Sequence, residues 1–286
     1  MNRTDFKGLR GHHQRGELRR KPIICFGLGL AAVIISAALL SPWLVPNDPL
    51  LINMQDRLLS PSMQYPLGTD HLGRCILSRL LMGSQATIGI SCLILLAVTV
   101  IGIPVGLFSG YFGGRTDAFL MRLVDGAGAV PEFLLAIAVA GFLGPGLLNV
   151  MLAISCVKWI GYARMVRSIV LLEREKEYVM ASIVAGSGLW ALIKRHFSRQ
   201  LAAPLAVMAA VDVGRTILLI SALSYLGLGT QPPIPEWGAM LSDGRAYFQA
   251  APQLMIYPGI CILAVVLASN LLSDGLRDRL DVKNRS

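Results

Sequence analysis

Charged side chains are scarce in this sequence. Only 15% of its 286 residues are Asp, Glu, Lys or Arg, whereas 54% are hydrophobic. A soluble globule of this size needs more polar surface than these side chains supply. The scarcity of charge therefore excludes an ordinary soluble domain and indicates that lipid surrounds much of the chain.

Motifs of nucleotide and metal chemistry are missing as well. The sequence has no G-x-x-x-x-G-K-[ST] phosphate loop and no H-E-x-x-H motif, and its four histidines are scattered. Its five cysteines form no C-x-x-C pair. His71 follows Asp70, but one His and one carboxylate make a poor metal site, and a helix cap is the better interpretation. We expect no catalytic residue, no metal site and no cofactor bound by this chain.

Long uncharged runs are what the sequence does contain. Residues 23–40 and 88–108 each approach the roughly 20 residues that cross the hydrocarbon core as a helix. If a few intramembrane polar residues are allowed, the pattern predicts six spans. These are 23–45, 86–110, 118–143, 147–168, 204–228 and 254–275.

Basic residues are distributed unevenly between the predicted loops. The formal net charge is +9, but no basic face with interleaved aromatic side chains accompanies it, so we expect no nucleic-acid partner. Most Lys and Arg residues fall within 3–21, 164–199 and 277–285. Because cytoplasmic loops carry the excess of Lys and Arg, both termini are predicted to be cytoplasmic.

Two predicted outside segments, 46–85 and 229–253, are too long for simple turns. In the first, Thr69 or Asp70 can cap a helix that lies along the membrane surface. The apolar face of that helix would contain Leu72, Ile76, Leu80 and Leu81. Prolines exclude a continuous helix in the second segment, which we interpret as a re-entrant or surface lid.

The predicted cytoplasmic loop, 171–203, has the pattern of a helix-turn-helix. A charged helix ends at Gly186-Ser187-Gly188, and Trp190, Ile193 and Phe197 follow at helical spacing. The loop is too polar to span a membrane and too apolar on one side to be left bare. Packing on its own spans and docking on another subunit are equally compatible with this spacing.

The loop also resembles a known element, the EAA loop of ABC importer permeases. The resemblance lies in Glu177, Ala181, Ala185 and Gly186, followed by Ile193, Arg195 and His196, with Trp190 between them. Four further motifs are similar to the C-type permeases for dipeptides, oligopeptides and nickel. They are GTDHLGR at 68–74, YARMVRS at 162–168, SYLGLGTQPPIPEWGAML at 224–241 and NLLSDGLRDRLD at 270–281.

This resemblance implies an all-α, polytopic fold with six transmembrane helices and a cytoplasmic coupling helix-turn-helix, the type I importer permease fold. A basic tail (1–22) would precede the membrane domain (23–275), and a second tail (276–286) would follow it. The implied location is the bacterial inner membrane. The implied partners are a homologous permease in a heterodimer, two ATPase subunits that hold ATP and Mg, and an external solute-binding protein. Small peptides, nickel or metal chelates would be the cargo.

The sequence departs from the family pattern at two informative places. Cys75 stands where the family usually has Asp, which removes a possible partner for Arg74 or Arg79. Arg199-Gln200 replaces a Pro-Asn pair, so the second helix of the loop is expected to continue into the fifth span.

Charged residues inside the predicted spans are candidates for the translocation path. Asp212 and Arg215 are three residues apart, so they either line the path or form a structural pair on one helix face. Glu132 poses the same question, together with Arg122 and Asp125. Lys158 is expected to snorkel to an interface.

Glycines within the spans and next to them favour close helix packing, either inside the chain or against the paired permease. They are Gly102, Gly106, Gly110, Gly141 and Gly144. The alternative function is a secondary transporter or channel that needs no ATPase. Such a protein is expected to show inverted repeats with broken helices, and the sequence indicates neither.

Overall fold

The computed structural model describes the backbone of residues 5–283 and the side chains of residues 25–278. Residues 1–4 and 284–286, the outer ends of the two predicted tails, lie outside this part. Most of the described chain is helical, as predicted. In chain order the helices are α1 (Asp5–Leu44), α2 (Ile76–Phe112), α3 (Gly114–Gly128), α4 (Glu132–Leu143), α5 (Leu147–Arg174), α6 (Glu177–Val184), α7 (Leu189–Leu192), α8 (Ser198–Tyr225), α9 (Trp237–Arg245) and α10 (Gln253–Lys283).

Several helices are long and apolar enough to cross a membrane. Four meet this requirement among the described residues, and the bent pair of α3 and α4 makes a fifth if it counts as one span. The four are Cys25–Leu44, Ile76–Phe112, Leu189–Tyr225 and Gln253–Asp278. With 28 residues α5 is also long enough, although Lys158 and several arginines interrupt its apolar sequence. The predicted number of six spans is reached only when α5 is counted.

The predicted third span, 118–143, is broken in the structure. α3 ends at Gly128 and α4 begins at Glu132, and the two helices are bent by 84°. Pro131 accounts for the break, because it disfavours helical conformation in the preceding residue and has no amide hydrogen to donate. With 12 residues, α4 is about 18 Å long and too short to cross the hydrocarbon core alone. The expectation of an unbroken span was wrong.

The surface helix predicted before the second span does not exist as a separate element. α2 runs without interruption over 37 residues, or about 55 Å. Its first residues are buried: Ile76 and Leu80 belong to a core that also contains Trp237. Asp70 lies before the helix, and Cys75 occupies the N-cap position. The first turns of α2 are therefore covered by protein rather than lying on the membrane surface.

Segment 229–253 is held against the same end of α2. Glu236 is fully buried and caps α9 by accepting hydrogen bonds from two amides of its first turn, at 2.8 and 2.9 Å. Thr87 donates to this carboxylate at 3.2 Å. The indole N–H of Trp237 donates to the carbonyl of Leu80 at 3.0 Å. The predicted lid is thus fixed to α2 by buried hydrogen bonds.

α2 and α5 approach each other closely through glycines. A methyl group at Gly102 would lie 2.6 Å from Cβ of Tyr162, and one at Gly106 would lie 2.6 Å from the carbonyl oxygen of Ala163. Gly110 continues this row one turn further along α2. These three glycines make contacts inside the chain, which settles one of the alternatives left by the sequence. Two other predicted packing glycines have open space around them: Gly141 and Gly144.

We predict that Gly106→Ala destabilises the protein by about 1–3 kcal/mol, the usual range for overpacking a close contact. The added methyl group would overlap the α5 backbone, which has no flexible side chain end to move aside. Thermal unfolding of the purified protein in detergent measures the effect. Gly89→Ala is the matched control, because Gly89 is also in α2 but a Cβ added there would have nothing within 4 Å. Equal melting temperatures for the two variants would contradict the prediction.

Candidate functional site

The first helix of loop 171–203 ends in a well-defined turn. Gly186 has φ of +86°, a conformation that residues with a Cβ rarely adopt. Its amide donates to the carbonyl of Ile183 at 2.9 Å, and the amide of Ser187 donates to that of Ser182 at 3.0 Å. This pair of bonds is the Schellman arrangement, in which a glycine ends the helix. The turn therefore depends on glycine at this position.

The inner face of the loop packs on the membrane helices of the same chain. Val179, Leu192 and Phe197 are fully buried, and they form one cluster with Val166 and Val170 of α5. Burial of these side chains fixes α6 and α7 against the ends of α2 and α5. The interpretation that the loop packs on its own spans is thus correct for this face.

The outer face of the loop is apolar and exposed. Val184 and Trp190 are 88% and 82% exposed, and Tyr178 and Met180 are about half exposed. Trp190 therefore points away from the face formed by Ile193 and Phe197, although their spacing predicted one shared face. The remaining predicted residues of this site that are exposed in the chain are Glu177, Ala181, Ala185, Gly186 and Arg195. We call the exposed apolar side chains, Tyr178, Met180, Val184 and Trp190, the outer patch.

Two further features mark the edge of the outer patch. His196 is partly buried, and its ring lies 5.3 Å from that of Tyr178. Lys194 and Arg195 are exposed beside it. An apolar patch with a basic edge on a monomer is typical of a surface that contacts another protein.

Hydrogen bonds tie the base of the loop to α2 and α3. Arg174, the last residue of α5, donates to the carbonyl of Tyr111 at 2.7 Å. The last carbonyls of α2, including that of Tyr111, have no hydrogen-bond partner inside their helix, so a cation beside them is favourable. Arg167 pairs with Asp117 of α3 at 2.6 Å, and Ser109 donates to the same carboxylate. Movement of the loop base would therefore also move α2 and α3.

The second helix of the loop continues into the membrane without a break. A π-helical turn, Ile193–Phe197, joins α7 to α8, and Leu189–Tyr225 forms one helix of 37 residues. Pro204 lies inside α8 and does not end it. The structure agrees with the expectation that Arg199-Gln200, in place of a Pro-Asn pair, lets this helix run on.

A cluster of charged side chains lies within the membrane helices. Nζ of Lys158, on α5, is 3.0 Å from Oδ1 of Asp212 on α8, and both side chains are buried. The same ammonium group is 3.6 Å from Oε1 of Glu132, whose side chain is 53% exposed. A buried ion pair of this kind holds two helices together, since separating it would leave both charges in a medium that solvates them poorly.

Two sequence-based interpretations of these charges were wrong. Lys158 does not snorkel to an interface, because it pairs with Asp212. The predicted pair of Asp212 with Arg215 is not found among the described residues, and Arg215 is exposed. The partner of Asp212 is on another helix, whereas the sequence reveals only neighbours on the same helix. Asp125, considered with Glu132, instead pairs with Arg164 on the exposed surface at 3.0 Å.

On the predicted outside, Asp70 and Arg74 form a charged cluster that reaches from segment 46–85 to segment 229–253. Oδ1 of Asp70 accepts hydrogen bonds from the amides of Leu72 and Arg74, at 2.8 and 2.9 Å. Its Oδ2 pairs with buried Arg74 at 2.7 Å and with buried Arg79 at 3.5 Å. Asp243 of α9 lies 3.7 Å from Arg74. Asp70 thus caps the turn before α2 and supplies the partner that Cys75 cannot.

His71 shows no feature of a metal ligand. Its ring stacks on Tyr247 with the ring centroids 5.0 Å apart. Burial lowers the pKa of the His71 imidazole, and the neighbouring Asp70 carboxylate partly offsets this effect. Within the part of the chain that the structure describes, no group of three or more His, Cys, Asp or Glu residues could hold a metal ion.

Residues 102–286 match the sequence profile of a family described as "Binding-protein-dependent transport system inner membrane component". Three curated proteins are similar over most of their length. The nickel transport system permease protein NikC of Escherichia coli K12 is 40% identical over 252 residues, covering 88% of this chain and 91% of NikC. The dipeptide transport system permease protein DppC of Haemophilus influenzae is 40% identical and covers 90% of each chain.

The third relative is the probable D,D-dipeptide transport system permease protein DdpC of Escherichia coli K12. It is 38% identical over 266 residues, covering 93% of this chain and 89% of DdpC. Among solved structures, the MetNI methionine ABC transporter in an inward-facing conformation contains a chain with a TM-score of 0.58 and 16% identity. The match covers 71% of this chain and 97% of that one. This likeness shows the type I importer permease fold.

We predict that Lys158→Met destabilises the protein by about 3–5 kcal/mol, because it leaves the buried Asp212 carboxylate without a partner. The double variant Lys158→Met, Asp212→Leu removes both charges and should recover most of this loss. Thermal unfolding in detergent compares the three proteins. If Lys158→Met is as stable as the wild-type protein, the ion pair of Lys158 with Asp212 does not hold α5 and α8 together.

Proposed function

Because the chain belongs to the family of inner membrane components of binding-protein-dependent transport systems, we propose that it is one of two homologous permease subunits in an ATP-driven importer. Like its relatives, the chain is a transmembrane transport subunit and not an enzyme. The further partners in this proposal are two ATPase subunits, which bind ATP and Mg, and a solute-binding protein that delivers the cargo. Lipid surrounds the remaining apolar surface.

The observation that carries this proposal is the outer patch of loop 171–203. Its apolar side chains are exposed although the opposite face of the same helices is fully buried. Exposed Trp190 and Val184 beside basic residues fit a groove on a partner protein better than they fit water. We assign this patch to contact with an ATPase subunit, as the EAA resemblance implies.

The bonds at the base of the loop suggest how ATP binding would drive transport. Closure of the ATPase subunits would push α6 and α7, which are anchored by Val179 and Leu192 on α2 and α5. Because α7 continues into α8, a tilt of the loop becomes a tilt of that membrane helix. The helices would then change from inward- to outward-facing, and release of the hydrolysis products would reverse the movement.

The location proposed for the chain is the bacterial inner membrane, with both termini in the cytoplasm. Apolar helices and the family match support the membrane location. The terminus orientation rests on the concentration of Lys and Arg in alternate loops, which favours cytoplasmic ends. In this orientation loop 171–203 faces the compartment that contains ATP.

For the cargo we propose small peptides, nickel or metal chelates. The similar permeases belong to nickel, dipeptide and D,D-dipeptide systems, and their identities of 40, 40 and 38% do not separate these cargoes. Uptake of labelled nickel and of a labelled dipeptide, in cells with and without this chain, distinguishes them. Loss of neither uptake on deletion would contradict the proposed cargo.

The competing function is a secondary transporter or channel. The break between α3 and α4 is a feature that many such proteins have. It does not outweigh the family match, because importers of this family work with ATPase subunits. A pull-down of the chain followed by an ATPase assay tests the point. A stand-alone chain that transports without copurified ATPase would support the competing function.

We predict that Gly186→Trp uncouples ATP hydrolysis from uptake or prevents the ATPase subunits from copurifying. The side chain would enter the outer patch, and the φ of +86° would be strained for any residue except glycine. Gly114→Trp is the matched control, since Gly114 is also exposed, has φ of +53° and has nothing within 4 Å of an added Cβ. A fully active Gly186→Trp variant, or equal loss in the control, would contradict the docking assignment.

A further inference from the structure

The cluster around Lys158 contains more negative than positive charge. One ammonium group lies 3.0 Å from the Asp212 carboxylate and 3.6 Å from that of Glu132. The shorter distance is a charge-assisted hydrogen bond between two buried groups, so Asp212 balances Lys158. The longer distance exceeds a hydrogen bond. Glu132 is thus the carboxylate whose charge is not balanced within this cluster.

This cluster lies deep within the membrane helices. Counted along α5, Lys158 is about 16 Å from the start of the helix and about 24 Å from its end. A charge at such a depth is expensive in lipid, and intramembrane charges almost always face the interior of a bundle or a water-filled cavity. Glu132 is 53% exposed at this depth. Its side chain therefore faces water or another polar group rather than lipid.

The backbone beside Glu132 leads to the same conclusion. The three residues between α3 and α4 are not helical, and Glu132 is the first residue after them. Irregular backbone at membrane depth occurs where it is buried in protein or lines a water-filled cavity. Val130 and Pro131 are exposed, so they are not buried in this chain. The break and the exposed carboxylate thus lie on the same surface, which this chain leaves open to a water-filled path or to the paired permease.

We propose that Glu132 contacts the cargo during its passage and binds the positively charged group of that cargo. This inference rests on the proposed importer function and specifies a residue of its path. The shared chemistry is a cation, either the ammonium group of a peptide or a nickel ion. Such a cation replaces the loose contact of Glu132 with Lys158 and balances its charge. Lys158 keeps its bond to Asp212 throughout and acts as a positioning residue.

The test measures the number of cargo molecules imported per ATP hydrolysed. The full complex is reconstituted in liposomes with saturating, cargo-loaded binding protein, so that affinity of the binding protein does not limit import. Using the ratio also removes any change in the ATPase rate alone. We expect Glu132→Gln, which keeps the shape and removes the charge, to lower the ratio about tenfold, the effect of one lost charged contact. Glu132→Asp, which keeps the negative charge, should retain most of the wild-type ratio.

Asp125→Asn is the matched control. Asp125 is an exposed carboxylate on α3 that, like Glu132, has one basic neighbour, Arg164 at 3.0 Å. Asp125 lies outside the Lys158 cluster, so the complex with Asp125→Asn should import as much cargo per ATP as the wild-type complex. Parallel assays with Ni²⁺ and with a dipeptide that has a free amino terminus identify which cation Glu132 receives.

The outcomes separate this inference from the proposed function. Suppose that the wild-type complex imports cargo and that the Glu132→Gln complex imports as much cargo per ATP. Glu132 then does not contact the cargo, but the importer function stands. An equal decrease in Asp125→Asn would overturn the contact as well, since it would reflect a general loss of negative charge. If the wild-type complex imports neither Ni²⁺ nor the dipeptide, both the proposed function and this inference are overturned.

Discussion

The close packing of α2 on α5 is the contact on which the rest of this structure depends. Lipid is as apolar as the side chains, so burial of apolar area provides little force between membrane helices, and close van der Waals contact must provide it. Glycines 102, 106 and 110 allow this contact, because each brings the α2 backbone against the surface of α5. The segments on both sides of the membrane are attached to this pair.

Both ends of the α2–α5 pair lead to structures outside the hydrocarbon core. At one end, Arg174 binds the last carbonyls of α2, and loop 171–203 begins immediately afterwards. At the other end, Trp237 and Glu236 fasten segment 229–253 to the outer turns of α2. A rigid pair of helices with a segment fastened at each end can transmit movement along its length, whereas loosely packed helices would absorb it.

Predictions from the sequence succeeded where the signal is local. Long apolar runs identified the membrane helices, and Gly186 identified the end of α6, since both are properties of neighbouring residues.

Predictions from the sequence failed where the partner is distant in sequence or a helix changes direction. Asp212 pairs with Lys158, 54 residues away, and no periodicity reveals that. Pro131 was visible, but the apolar residues that follow it extended the predicted span across the 84° bend. Trp190 shares its spacing with Phe197, yet the π-helical turn between them changes which face each occupies.

The two connections of loop 171–203 to the membrane differ, and this difference bears on how the loop can act. Between α5 and α6 the helix is interrupted at Glu175 and Lys176, so the two helices do not form one continuous rod. Between α7 and α8 the helix is continuous, so this connection transmits rotation and tilt directly. A force on the outer patch therefore reaches α8 along one continuous helix and reaches α5 through side-chain packing. α8 contains Asp212, and its bond to Lys158 passes the movement to α5 at the depth where Glu132 is exposed. The continuous helix that follows from Arg199-Gln200 thus connects the outer patch to the Lys158 cluster within the membrane helices.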